Sequence, residues 1–307
     1  MSKIISVSRR TDIPAFYGDW FMNRINEGFV GYVNPFGGQK YIVSLNIKDV
    51  ICFVFWSKNF SPFLGKLERL EHLGYSFYFN FTITGLPRVF EPHVIDKDLA
   101  VDTLKTLGER YSRRHINWRY DPILLSNITD EAFHRRNFAD LCSRLNGYVE
   151  RCYISYPTLY AKVRRNFITL QQSNPISFYD PESETKQKLA DDLAGIAEQH
   201  GISLFSCCND ILLNEHIQKA HCVDADLINE LFDGTLNIPR KGTRKECGCS
   251  QSTDIGKYDS CPHGCVYCYA NCNKSGAEMV YDRHDINAAF LGATKEQSDE
   301  WIMELKQ

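Results

Sequence analysis

Over its first two hundred residues the chain alternates short runs rich in β-branched and aromatic residues with longer amphipathic stretches, the sequence form of repeated βα units. That alternation confines the fold to a parallel α/β sheet, and the number of units suffices for a full or partial (βα) TIM-type barrel. The spacing predicts strands over residues 4–8, 41–45, 51–56, 76–83, 116–120, 152–155 and 202–206. Helices are predicted over 14–27, 62–73, 96–111, 130–145, 158–171 and 184–200. In the first helix Pro14 suits a helix start, and Phe16 with Trp20, then Tyr17 with Phe21 and Ile25, recur at i, i+4 to form one apolar stripe. Thr129-Asp-Glu-Ala and Asp180-Pro-Glu-Ser read as capped helix starts. A short helix at 224–232 and an amphipathic closing helix at 294–307, read as packing, complete the pattern. The expected division is a barrel body over 1–235, a cysteine-rich segment over 236–280 packed on it, and a helical extension over 281–307.

The residues ending the strands are unusually polar: Ser8-Arg9-Arg10-Thr11-Asp12, Ser57-Lys58-Asn59, Thr82-Ile83-Thr84-Gly85, Arg119-Tyr120-Asp121-Pro122, Ser155-Tyr156 and Cys208-Asn209-Asp210. Parallel α/β proteins collect binding groups at the carboxyl ends of their strands, so these segments are candidates for one mouth. Arg119 and Asp121 are the catalytic candidates, since a guanidinium forks onto carboxylates and phosphates; a mutual salt bridge stiffening the rim is the competing reading. Arg9, Arg10 and Asp12 offer the same choice, with cofactor binding as the functional alternative.

A net charge of -3 provides no overall basic field, and no basic groove interleaved with aromatics is visible, which speaks against nucleic acid. The one basic run, Arg240-Lys-Gly-Thr-Arg-Lys245, reads as a solvated loop. The N-terminus lacks the apolar core of a signal peptide, and the longest apolar run, 50–56, is far too short to span a bilayer, so the expected setting is the cytoplasm with no membrane partner. In such a reducing compartment twelve cysteines point to metal or redox chemistry. Cys52, Cys142 and Cys152 sit among apolar neighbours and read as core; the other nine lie between Cys207 and Cys272.

Among those nine, Cys261-Pro-His-Gly-Cys265-Val-Tyr-Cys268 is a C-x3-C-x2-C cluster, three thiolates able to hold three irons of a cubane and leave the fourth open. His263 within it either tunes the cluster or shapes the turn. Cys247 and Cys249, with Cys207, Cys208 or Cys222 folding back, are candidates for a second site, an auxiliary [4Fe-4S] cluster or a zinc ion. Adding Cys272 makes C-x3-C-x2-C-x3-C, whose four thiolates describe the rival protein: an electron carrier or zinc-stabilised binding module without an open iron.

Cys261-Pro-His-Gly-Cys265-Val-Tyr267-Cys268-Tyr-Ala-Asn resembles the signature of the radical SAM superfamily, and its Tyr-Cys-Tyr-Ala continuation looks most like the spore photoproduct lyase branch. From Ser6-Val-Ser-Arg-Arg-Thr-Asp through Trp118-Arg-Tyr-Asp-Pro to Asp254-Ile-Gly-Lys-Tyr-Asp, the chain is also similar to a widespread family of uncharacterised bacterial proteins. The first resemblance implies a [4Fe-4S] cluster on Cys261, Cys265 and Cys268, S-adenosylmethionine on the open iron with Tyr267 against its adenine, and a 5'-deoxyadenosyl radical that abstracts hydrogen. It implies an electron donor such as a flavodoxin or ferredoxin and a small-molecule or peptide substrate. In that superfamily the motif follows the first barrel strand, whereas here it follows almost all of them. Either the barrel is permuted, with residues 253–257 supplying the equivalent of the first strand, or the motif serves another cluster geometry.

Overall fold

The computed structural model describes residues 2–306; Met1 and Gln307, the outer ends of the first and last expected segments, lie outside the described residues. In chain order the elements are β1 (Lys3–Val7), α1 (Ile13–Phe16), α2 (Gly18–Glu27), β2 (Phe29–Val33), β3 (Lys40–Ser44), β4 (Val50–Ser57), α3 (Leu64–His72), β5 (Phe77–Thr82), α4 (Lys97–Tyr111), β6 (Ile116–Tyr120), α5 (Glu131–Leu145), β7 (Arg151–Ile154), α6 (Ala161–Ser173), α7 (Ser183–Glu198), β8 (Ser203–Ser206), β9 (Ile217–Lys219), α8 (Ala225–Leu231), β10 (Thr253–Asp254), α9 (Lys274–Arg283) and α10 (Lys295–Glu304). The chain divides into two compact units, one of Met1–Tyr78, Ser252–Gly264 and Ala270–Gln307, the other of Phe79–Gln251 and Cys265–Tyr269. Eight strands follow one order, β10-β1-β4-β5 and then β5-β6-β7-β8-β9, the division falling within β5. The α/β class and its mostly parallel sheet are therefore as expected, and the strand order has two ends.

In the first unit β1 is parallel to both its neighbours, Ile5 standing opposite Thr253 of β10 and Phe53 of β4. Ile4, Ile5 and Val7 are buried, as are Phe53, Val54 and Phe55. Such runs lack in-and-out alternation, as expected of parallel strands covered on both faces. The single helix expected over 14–27 is broken: Tyr17 takes φ -124° and ψ 23°, closing α1 and opening α2. The apolar stripe survives the break, because Trp20, Phe21 and Ile25 are buried and the Trp20 indole N–H donates to the Ala288 carbonyl at 2.8 Å.

The strand expected over 41–45 is present as β3, but it belongs outside the parallel series. It pairs antiparallel with β2 in a two-stranded hairpin, Tyr32 facing Tyr41. The cause is the intervening Asn34-Pro-Phe-Gly-Gly-Gln39, which turns the chain tightly enough for the Asn34 N–H to reach the Gln39 carbonyl at 2.8 Å. Helix α9 was not expected. It is capped by the Asn273 side chain on the Gly276 N–H, and with only Ala277 buried it shows no apolar stripe to read. The closing helix does form as α10, behind a capping box on Thr294 and Gln297, and its Trp301 packs edge-on against Phe290 at 5.1 Å.

In the second unit β5 to β9 are parallel neighbours, and one row across them reads Thr82, Arg119, Tyr153, Phe205 and Gln218. Trp118 stacks on Phe138 of α5 at 5.2 Å, with its N–H on the Ile83 carbonyl, so the helix is fixed over β6. Asp130 caps α5 as expected, whereas α7 starts at Ser183 behind Glu182, which makes no side-chain cap, and not at Asp180. Among the described residues no helix is long and apolar enough to cross a membrane.

His134, buried on α5, accepts from the Tyr120 hydroxyl at 2.8 Å through Nδ1 and donates through Nε2 to the Leu124 carbonyl at 3.0 Å. Burial pushes its pKa down from 6.5 to about 4. The folded state therefore holds it neutral, while the unfolded chain takes up a proton as pH falls below 6.5. Stability present at neutral pH is expected to be lost between about pH 6.5 and 4, by about 3 kcal/mol for this group. Urea unfolding at pH 7 and 4.5 checks this, with His134→Leu expected to flatten the pH dependence.

Candidate functional site

The polar strand ends gather separately in each unit. In the first unit Asp254, buried at the end of β10, accepts from the hydroxyls of Ser6 (2.8 Å) and Ser8 (2.7 Å) and from the backbone N–H groups of Arg9 (2.9 Å) and Gly256 (3.0 Å). The guanidiniums of Arg9 and Arg10 stand 3.5 and 3.9 Å from its oxygens. Burial alone would raise the Asp254 pKa, but the two arginines and the hydrogen bonds outweigh it and hold the carboxyl below its ordinary range. Arg9 and Arg10, read from the sequence as either cofactor-binding or paired within the chain, both approach Asp254. Asp12 caps α1 through the Ala15 N–H, accepts the Lys58 N–H at 2.7 Å, and stands 2.7 Å from His263 Nε2. His263, packed edge-on against Phe16, thereby fixes the turn that carries the motif.

That turn needs Gly264, whose φ of 69° lies in the left-handed region where a side chain is strained. The Cys261 carbonyl accepts from the Asn271 amide at 2.6 Å. Cys272 is exposed, and its backbone N–H donates to the Asp259 carboxylate at the entry to α9. Cys265 is buried and Cys268 half-buried, and both belong to the second unit. Val266 anchors them there: its N–H donates to the Phe90 carbonyl and its carbonyl accepts from Asn166, both at 3.0 Å. The Tyr267 hydroxyl donates to Glu91, a buried carboxylate that also receives the Thr84 hydroxyl at 2.9 Å. Burial, the Glu91 charge and Cys265 all push the Tyr267 pKa up, so its phenol stays protonated. Thr84 belongs to one of the polar strand ends, whereas no periodicity or motif pointed to Glu91 or Asn166.

The second unit also assembles the other five cysteines. Cys207 and Cys208 follow β8, Cys222 follows β9, and Cys247 and Cys249 flank Gly248. Each thiol lies near enough to perturb the ionisation of the next, Cys207, Cys208, Cys247, Cys249, Cys222 and back to Cys207, so that the five make a ring. The Cys207 and Cys222 sulfurs are 3.5 Å apart. Gly248 is required because a Cβ there would meet the His221 ring at 2.5 Å. Hydrogen bonds from Cys208 and Cys222 hold Cys207 well below the usual thiol range, against the opposing effect of burial. Among the described residues no group of three or more His, Cys, Asp or Glu side chains is arranged so that it could hold a metal ion as it stands.

Arg119 faces the ring from β6, donating to Cys222 Sγ at 2.8 Å and lying 3.8 Å from Cys207 Sγ. It also pairs with Asp121, which accepts the Ser155 hydroxyl. Burial would lower the Arg119 pKa, but Cys222 and Asp121 raise it well above the ordinary value. The two catalytic candidates are therefore together, as an ion pair on the rim of the cysteine ring. Arg244 lies over the Tyr269 ring at 5.9 Å from its centroid; its pKa, which burial alone would lower, is raised by Cys208 and Cys207. Tyr156, next in the chain to the Ser155 that donates to Asp121, lines a cavity of about 280 Å³ with Arg164, Phe167, Phe178 and Asp180, and its N–H donates to Asn209.

Compared with known proteins, the family described as a domain of unknown function, DUF1848, matches residues 4–270. No curated protein and no solved structure matches the chain.

Proposed function

The chain belongs to the DUF1848 family, and from that premise and its cysteine motif we propose that it is a radical SAM enzyme of the spore photoproduct lyase-like kind, acting on a small molecule or peptide. The observation that carries the reading is Cys261-x3-Cys265-x2-Cys268 with Tyr267 before its last thiol. The spacing of Cys261, Cys265 and Cys268 in the sequence suits a [4Fe-4S] cluster with one open iron, while Cys272 is exposed and its backbone N–H is held by Asp259 at the start of α9. The parallel pairing of β10 with β1, directly ahead of the motif, supports a permuted (βα) barrel in its partial form. When bound, the cluster and S-adenosylmethionine supply a 5'-deoxyadenosyl radical, with the electron coming from a donor of the flavodoxin or ferredoxin class.

This chain's own residues hold and orient. Cys261, Cys265 and Cys268 supply the three thiolates, and the Glu91 contact fixes the Tyr267 ring. Arg119, kept charged, and Asp121 supply a rim that can receive a polar substrate group, beside an aromatic cavity suited to an apolar portion. A cytoplasmic setting suits the cysteine chemistry.

The test is the anaerobically reduced protein incubated with S-adenosylmethionine and assayed for 5'-deoxyadenosine and methionine. Turnover is expected in the wild type and in Cys272→Ser. No cleavage in the wild type, or equal loss in Cys272→Ser and Cys261→Ser, would transfer the protein to the alternative class of closed-cluster electron carriers or zinc-stabilised binding modules.

A further inference from the structure

The five-thiol ring is independent of the C-x3-C-x2-C reading, and its composition asks for a partner. Five thiols from three separate segments gather here, three of them buried, and the Arg119 guanidinium accompanies them, donating to Cys222 Sγ at 2.8 Å and lying 3.8 Å from Cys207 Sγ. Four thiolates around a doubly charged cationic core leave two negative charges, which the Arg119 guanidinium offsets in part. The spacing is also close to ligand spacing. Four thiolates about 2.3 Å from a zinc ion stand about 3.8 Å from one another, and Cys207 and Cys222 are already 3.5 Å apart.

We propose that Cys207, Cys222, Cys247 and Cys249 close a fully ligated metal centre, a zinc ion or an iron-sulfur cluster, separate from the open site of the triplet. Three of the four are buried, Cys207 and Cys222 are in contact, and Cys249 lies against Val223, the residue that follows Cys222. Cys208 is the thiol left over. It is half-buried, sits in the left-handed backbone region at φ 57°, and shares a loop with Cys207, so the adjacent pair contributes one ligand. The surrounding hydrogen bonds orient the ligands. The Val223 N–H lies 3.4 Å from Cys249 Sγ, and the Asn80 amide holds the Cys222 carbonyl at 3.0 Å. Such a centre would reinforce the hydrogen bonds that already join the 241–251 segment to the residues after β8 and β9, the Asp210 N–H on Glu246 at 2.9 Å and the Ser250 N–H on the Val223 carbonyl at 2.8 Å.

The test removes the other site first. A variant with Cys261, Cys265 and Cys268 all replaced by serine, purified anaerobically, is expected to keep one metal centre per chain. Zinc without sulfide identifies the single ion, and iron with matching sulfide identifies the cluster. Adding Cys247→Ser and Cys249→Ser is expected to reduce that metal at least tenfold, and Cys208→Ser is expected to leave it in place. Should the combined variant not fold, Cys207→Ser in the same background, read as metal per monodisperse chain, carries the test. A triple-serine protein holding no metal, or metal content indifferent to Cys247 and Cys249, overturns the centre; loss with Cys208→Ser but not Cys207→Ser overturns the ligand set.

Discussion

Cys265→Ala is expected to abolish cleavage of S-adenosylmethionine and to remove the iron bound at the motif, while leaving the fold in place. Two remaining thiolates at positions 261 and 268 cannot hold a cubane with one open iron. The fold survives because the segment is held by its backbone: Val266 is bonded on both sides, to Phe90 and Asn166, and the Cys268 N–H reaches the Cys265 carbonyl at 3.3 Å. A small buried thiol replaced by alanine changes stability by about 1 kcal/mol. Iron and sulfide per chain, 5'-deoxyadenosine formation and the urea midpoint together read this out. Iron retained with cleavage undiminished would remove Cys265 from the ligand set.

Asp254→Ala carries the largest stability effect, an expected loss of about 3–5 kcal/mol. The carboxylate is the common acceptor of two hydroxyls and two backbone N–H groups and the counter-charge of Arg9 and Arg10, all at the carboxyl ends of β1 and β10. Its removal leaves those donors unsatisfied and the two guanidiniums uncompensated in a largely buried place. Because the folded pKa of Asp254 lies below its ordinary value, the charge contributes stability above about pH 4 that is lost as pH falls through the folded pKa. Denaturant unfolding at pH 7 measures the loss, and a change within about 0.5 kcal/mol of zero would contradict the network's role.

Much of this architecture is written in local pattern. The strand expected over 116–120 is β6 residue for residue, and Asp96 and Asp130 cap α4 and α5 where cap-type residues precede acidic first turns. What escaped was set by tertiary pairing. Lys40–Ser44 has the composition of a parallel strand, but a turn rich in glycine delivers it to β2 instead. Ile217–Lys219 is three residues long and exists as a strand because β8 lies beside it. At the site, the C-x3-C-x2-C spacing was legible because cysteines close together in sequence leave a signature. The gathering of Cys207, Cys208 and Cys222 with Cys247 and Cys249 was visible only as a clustering of residue type, since the loops that bring them together carry no period. Glu91 under Tyr267 left no sign, because a lone carboxylate after Phe90 looks like any loop acid. Arg9, Arg10 and Asp12 were recognised as a polar group, but their shared partners, Asp254 and His263, lie some 250 positions away.

The central claim is the open iron, and the most direct measurement is electron paramagnetic resonance of the anaerobically reduced protein with and without S-adenosylmethionine, on samples analysed for iron, sulfide and zinc. The expected result is a [4Fe-4S] signal that shifts when S-adenosylmethionine is added and that disappears in Cys265→Ala. A reduced cluster whose spectrum ignores S-adenosylmethionine, or zinc in place of iron at the motif, would contradict it.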